Sequence, residues 1–320
     1  MKDGLYTIGE FANLLGVSKA VIYNWEKEGK ISKANRVKRG KTLYRFYTVE
    51  DLHSVRGQLN LPTPITKKRK QLFLNFKGGT GKSVISANYG YKLAQLGYHV
   101  LMVDLDPQGH LTKCLGRTPE DFSKTLFDVI VNKVPIQSTI TSTRLPNLDL
   151  IPANLGLSPI ELSLTGLHAR EFRLKKALSD IEENYELIIL DAPPNIGLLN
   201  LNAILAVNDI LVPVLADFLS YDGLKILFET LKDIQDSFDY QLENIYIFLN
   251  RYNESMNICI RSRDAIRKNY AEYVCETTIR QNTTLSDATA QGMSIFEIAP
   301  NSRAANDISK LVNEVYMLKE

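Results

Sequence analysis

The sequence predicts an α/β protein, a mostly parallel sheet with helices on both faces, preceded by a small winged helix-turn-helix domain. Three observations carry that expectation. A glycine-rich loop, FKGGTGKS (Phe76–Ser83), lies between an apolar run, QLFLNF, and a helix-like stretch ended by Gly97. Two later apolar runs, YHVLMV and LIIL, each lead into aspartates, Asp104 and Asp106 after the first and Asp191 after the second. The first 59 residues carry three helix-start signals around one alternating segment.

Taking the elements in order, Thr7 and Glu10 have capping-box spacing, so a short helix opens there and closes at Gly16. Ser18 caps a second helix, KAVIYNWEKE, that stops at Gly29. KANRVKRGKTLYRFYT then reads as a β-hairpin with a basic tip, and Thr48-Val49-Glu50-Asp51 opens a third helix. Two short helices about a glycine turn make a helix-turn-helix. The division read from the sequence is 1–59 for this head, 60–70 for a linker holding two prolines and the run Lys67-Lys68-Arg69-Lys70, and 71–320 for the body.

Composition agrees with a head that meets a polyanion. Residues 1–70 hold 15 Lys and Arg against 6 Asp and Glu, the rest 23 against 30, so a head of +9 precedes a body of −7. No apolar run reaches the roughly 18 residues of a membrane span, and MKDGLYTIGE is no signal peptide, which points to the cytoplasm. Cys114, Cys259 and Cys275 are far apart and read as reduced thiols. The four histidines are scattered, so no metal site made by the protein alone is expected.

The loop between strand and helix has the context of a phosphate-binding loop. Glycines let backbone N–H groups converge on phosphate oxygens, and the helix N-terminus adds its dipole. Gly78, Gly79, Thr80 and Gly81 form the cradle, Lys82 suits the β- and γ-phosphates, and Ser83 suits Mg²⁺. Asp106 and Asp191 fall at the carboxyl ends of buried strands, where ligands bind in open α/β sheets. Asp106 suits a place beside the γ-phosphate, Asp191 one that holds water on Mg²⁺. The first position of the usual loop pattern is Phe76 rather than glycine, and Lys77 follows as a second lysine.

Two resemblances account for these features. YTIGEFANLLGVS, WEKEG and YTVEDL, within about residues 5–58, resemble the winged-helix head of the MerR family, without that family's long dimerising helix. That arrangement puts the second helix in the major groove, with Lys19, Tyr23, Asn24 and Lys27 facing DNA and Lys38, Arg39 and Lys41 of the wing on phosphates. From about residue 70 onward, KGGTGKS, DLDPQG, LIILDAPPNIGLLNLNAI and GMSIFEIAPNSRAANDISKLVNEV together resemble the ParA/Soj DNA-partition ATPases. The resemblance implies ATP and Mg²⁺ as ligands and an ATP-dependent homodimer in which Lys77 reaches the partner's phosphates. It also implies Asp106 positioning the attacking water and Asn250 near adenine.

As partners the resemblance implies nonspecific DNA for the ATP-bound form, a ParB-like centromere-binding protein that stimulates slow hydrolysis, and operator DNA for the head. The expected place is the cytoplasm, on the nucleoid. An alternative is an ATP-switched transcriptional regulator without a segregation role. The late arginine pattern of the family is altered to Ile279-Arg280-Gln281-Asn282-Thr283-Thr284-Leu285-Ser286, which leaves Arg261, Arg263, Arg267 and Lys268 as a second source of charge. In the last helix Ile308, Leu311, Val312, Val315 and Leu318 share one face. Asp307, Glu314 and Glu320 outnumber Lys310 and Lys319, so that face is read as core-docked, with no membrane partner.

Overall fold

The computed structural model describes residues 5–39, 42–61, 63, 65–217 and 219–318. Strands β1 (Leu5–Tyr6), β2 (Asn35–Arg39) and β3 (Thr42–Thr48) form an antiparallel sheet in the order β1-β3-β2. Helices α1 (Ile8–Leu14), α2 (Lys19–Lys27) and α3 (Val49–Leu59) start at Thr7, Ser18 and Thr48, the caps read from the sequence, with capping boxes to Glu10 and Asp51. The tip of the hairpin, and with it the expected DNA contact Lys41, lies outside the described residues.

Glu26 ties this small domain together. Its carboxylate accepts from Ala34 N (2.6 Å), from the Tyr47 hydroxyl (3.0 Å) and from the Arg45 guanidinium, joining α2, the following turn and β3. Burial works to raise the carboxyl's pKa, but the Arg45, Ala34 and Tyr47 bonds outweigh it and hold it below the usual range. Beneath the network, Phe11 stacks on Tyr47 at 4.1 Å.

The body is a seven-stranded sheet built from β4 (Arg69–Phe73), β5 (Val100–Asp104), β6 (Thr141–Ser142), β7 (Leu148–Ile151), β8 (Leu187–Asp191), β9 (Asp209–Leu215) and β10 (Asn244–Asn250). The order is β10-β9-β4-β8-β5-β7-β6, and every pairing is parallel except β6 with β7. Two hydrophobic cores flank it. One gathers Leu72, Val103, Leu190 and Val212, the other Phe73, Met102, Ile189 and Leu211, so alternate residues of one strand face opposite cores. That is why β5 and β8 read as unbroken apolar runs. Ile308, Leu311, Val312 and Val315 of the last helix, Arg303–Tyr316, are buried in the second core, as their spacing predicts. Among the described residues no helix is long and apolar enough to cross a membrane.

The basic run is an exposed linker only as far as Lys67 and Lys68, both of which are exposed. β4 already opens at Arg69, whose guanidinium is paired with Asp209 and Glu243, while Lys67 bonds Glu243, Lys68 bonds Glu183 and Lys70 bonds Glu182. The body's excess acid neutralises these four charges, so they belong to the fold rather than to a free polyanion-binding tail.

Helix α4 (Lys82–Gln95) runs from the glycine loop to the small domain. At its far end the Tyr6 hydroxyl donates to Gln95 O (2.8 Å), His53 Nε2 bonds Gly97 O, and the Tyr98 hydroxyl accepts from Ile65 N (3.0 Å). Gly97 has φ 88° and lies against Leu52, leaving no room for a Cβ. We expect Gly97→Ala to loosen this joint by about 1–2 kcal/mol, from the left-handed backbone and the collision together. Limited trypsin cleavage at Lys67 and Lys68 should then accelerate about tenfold, and an unchanged rate would refute the joint's dependence on that glycine.

Candidate nucleotide site

After β4 the chain leaves the sheet at Leu74 and turns through Gly79 (φ 74°) and Gly81 (φ 90°) into α4. Gly81 is the N-cap and has no side chain to occupy the first amides of the helix, so those donors stay available to an anion. A cavity of about 670 Å³ opens over this turn, lined by Gly78–Val84 together with Asp106 and, from the far side, Arg251. That volume lies within the range of small-ligand sites.

The titratable groups form a compact set. Lys82 is buried, and its Nζ donates to Asn75 O (2.8 Å) and Lys77 O (3.3 Å). Burial lowers its pKa, against which Asp191 and then Asp106 act. Asp104 accepts from Thr112 N (2.8 Å), Thr112 Oγ1 (2.6 Å) and Asp106 N (3.1 Å). Its complete burial nevertheless pushes its pKa up to about 7. Asp191, also fully buried, is raised by desolvation and then by Asp104. One of its oxygens accepts from Ser86 Oγ (3.3 Å), while Oδ2 has no partner, and Thr80 Oγ1 is likewise buried and unpartnered. A hard cation takes oxygen donors of this kind, so Ser83 and Asp191 suit Mg²⁺.

Of the residues singled out from the sequence, Gly78–Ser83 and Asp106 line one cavity and Asp191 lies beneath them. Lys77 points elsewhere: its Nζ bonds the Asp217 carboxylate (2.9 and 3.1 Å) and approaches Ser220 Oγ (3.5 Å). Asn250 sits behind the loop rather than in the cavity. Its Nδ2 donates to Thr80 O (2.8 Å) and its Oδ1 accepts from Arg251 N (2.9 Å), so both ends of the amide are engaged. Arg251, with φ 52°, is the residue of that strand end that reaches the cavity. Sequence reasoning missed it, together with His110, Lys113 and the Thr289–Gly292 turn. His110 directly follows the DLDPQG motif and could have been found from it, whereas the Thr289 turn arrives only through the tertiary fold.

On the small domain Lys19, Tyr23, Asn24, Lys27 and Lys38 are all exposed. Arg45 lies 4.9 Å over the Tyr23 ring and steadies it. Arg39 belongs to β2. Of the late basic residues, Arg263 is paired with Asp264, Arg267 with Glu276, and Arg280 with Asp307.

The geometry predicts that Asn250→Ala weakens nucleotide binding without unfolding the body. Losing the bond to Thr80 O removes about 1 kcal/mol from the loop's shape, roughly a fivefold rise in Kd for a fluorescent ATP analogue. An unchanged Kd would contradict the buttress.

The family model described as an AAA domain matches residues 69–244, and that of the MerR HTH family regulatory proteins matches residues 6–67. The cell division protein PomZ of Myxococcus xanthus is 45% identical over 269 residues, covering 84% of each chain. The sporulation initiation inhibitor protein Soj of Bacillus subtilis is 35% identical over 75% of this chain and 95% of its own. Among solved structures, cobyrinic acid a,c-diamide synthase from Mycobacterium smegmatis, with bound ATP analogue and magnesium, superposes with a TM-score of 0.68 at 25% identity. That match covers 78% of this chain and 94% of the synthase. With the phosphate loop, the paired strand-end carboxylates and the capped head in place, this chain belongs to the ParA/Soj family of P-loop ATPases and carries a MerR-type helix-turn-helix at its N-terminus.

Proposed function

We propose that the chain is a partition ATPase whose ATP-loaded copies pair face to face and coat DNA without regard to sequence. A ParB-like partner stimulates hydrolysis and releases the coat. The observation that carries the reading is the divergence of the two loop lysines: Lys82 folds onto its own loop, whereas Lys77 turns away to Asp217.

In this reading Gly78–Ser83 hold the ATP phosphates and Lys82 offsets charge on the β- and γ-phosphates. Ser83 and Asp191 would hold Mg²⁺, which would supply positive charge against the triphosphate. Asp106 orients the attacking water. Lys77 leaves Asp217 and presents its charge to the facing copy's phosphates, where it offsets the charge developing on the transferred group. The Lys77–Asp217 pair is about one-third exposed on both sides. Such a pair is worth only about 0–1 kcal/mol, so giving it up costs a dimer little. Asn250 contributes as a buttress of the cradle.

The head supports a second role, repression through operator DNA. Lys19, Tyr23, Asn24 and Lys27 line the exposed face of α2, and Lys38 and Arg39 lie on β2 of the wing. We propose domain limits of 1–59 and 71–320 with 60–70 between them, the first strand of the body already opening at Arg69. The protein would act in the cytoplasm, on the nucleoid.

A second reading is favoured by the 45% identity to a cell division protein: the cargo positioned by the DNA coat is the division apparatus rather than a replicon. Deleting the gene separates the two, since partition predicts lost or unevenly inherited DNA and division placement predicts misplaced septa.

Lys77→Ala should bind ATP with near-normal affinity yet turn over at least a hundredfold more slowly, as loss of a trans-acting cation does. Asp217→Asn should free Lys77 and tighten the ATP-dependent dimer about two- to fivefold, corresponding to roughly 1 kcal/mol or less. Sedimentation equilibrium and phosphate release measure both. A Lys77→Ala protein that hydrolyses ATP at the wild-type rate would remove the basis of the proposal.

A further inference from the structure

A second cavity, of about 560 Å³, lies away from the glycine loop, between the segment 129–137 and the segment 168–180. Its two walls are held together at both ends. Arg173 donates across to Ile130 O (3.4 Å), while its bonds to His168 O (3.0 and 3.1 Å) stay within its own wall, and Gln137 Nε2 donates across to Asp180 O (3.3 Å). The floor is apolar, made by Val129, Ile130, Ile136 and Ala177, with Phe172 exposed at its lip.

The rim is cationic. Lys133, Arg173 and Lys176 face the cavity, and Asp180 is the one carboxylate among its lining residues. The described residues give Lys133 and Lys176 no ion pair. This stands against a body whose overall balance is −7 and whose basic run at residues 67–70 is matched by acids. Unmatched cations over an apolar floor suit a ligand that brings both negative charge and an apolar group.

We propose that this cavity is a docking site for an acidic peptide segment of a partner protein, seated by an apolar side chain. The apolar residue fills the floor beside Ile130 and Ile136, and flanking carboxylates meet Lys133 and Lys176. Duplex DNA suits the same charges poorly, because its phosphates are displayed on a convex surface and nothing in its backbone fills an apolar pit. The wall is also continuous with the nucleotide side of the molecule. Asn202, on the helix Leu198–Ala206 that follows the Asp191 loop, accepts from Leu174 N (3.1 Å) and donates to Arg170 O (2.7 Å).

The test is a selection of random peptides displayed on phage against the full chain, with depletion on the Lys133→Glu/Lys176→Glu variant. Synthetic, dye-labelled versions of the enriched peptides are then titrated by anisotropy, with a random DNA duplex as a parallel probe. The proposal expects enriched sequences that combine Asp or Glu with Leu, Ile or Phe. Their affinity should fall at least tenfold in the charge-reversed variant, by an intermediate factor in Lys133→Gln/Lys176→Gln, and with rising salt. Unchanged basal ATP hydrolysis in both variants certifies their fold. Enrichment of no sequence, enrichment without acidic bias, binding indifferent to the variants, or loss of duplex DNA binding alone would each overturn it.

Discussion

Burying Lys82 is the constraint on which the site rests. An ammonium group out of water costs several kcal/mol unless opposite charge and acceptors surround it. The loop supplies the carbonyls of Asn75 and Lys77, and β5 and β8 supply the carboxylates. The sheet register makes this possible. Phe73 of β4 is paired with Asp191, and Asp191 with Asp104, so two aspartates stand side by side on adjacent parallel strands. Burial raises the pKa of both, and the neighbouring Asp104 raises that of Asp191 further. Raising these two carboxyls weakens the counter-charge available to Lys82, and the Oδ2 of Asp191 is left buried without a hydrogen-bond partner.

Helix α4 carries the consequence away from the site. Its 14 residues begin at Lys82 and span about 21 Å at 1.5 Å per residue. At the other end Gln95, Gly97 and Tyr98 receive the small domain through Tyr6, His53 and Ile65. His99 Nε2 bonds His53 Nδ1 at 2.8 Å, and Arg56 lies 5.9 Å over the Tyr98 ring. The loop that holds phosphate and the joint that holds the head are thus two ends of one rigid element.

Local chemistry made much of this legible in the sequence. Thr7, Ser18 and Thr48 start helices in the fold because capping depends only on neighbours, and Gly16, Gly29 and Gly97 follow the ends of α1, α2 and α4 with positive φ for the same reason. The glycine loop and the strand-end aspartates were readable because a parallel sheet collects its strand ends at one edge. Long-range pairing was not readable. Nothing near Lys67–Lys70 announces that Glu182, Glu183, Asp209 and Glu243 will neutralise it. Asn250 was placed at the right strand end, but whether it or Arg251 faces the cavity depends on a left-handed turn at Arg251 that local sequence does not announce. The cavity between residues 129–137 and 168–180 joins segments about forty residues apart and has no sequence signature at all.

In the function proposed for this chain, nucleotide controls the body's hold on DNA. Fluorescence anisotropy of a random-sequence duplex, titrated with protein in Mg²⁺ with no nucleotide, ADP or ATP, tests it directly, with Lys82→Ala and a chain lacking residues 1–66 in parallel. The expected result is tight binding that needs ATP, survives loss of the head and disappears with Lys82→Ala. Binding that ignores nucleotide and vanishes with the head would contradict it and leave a transcriptional regulator in its place.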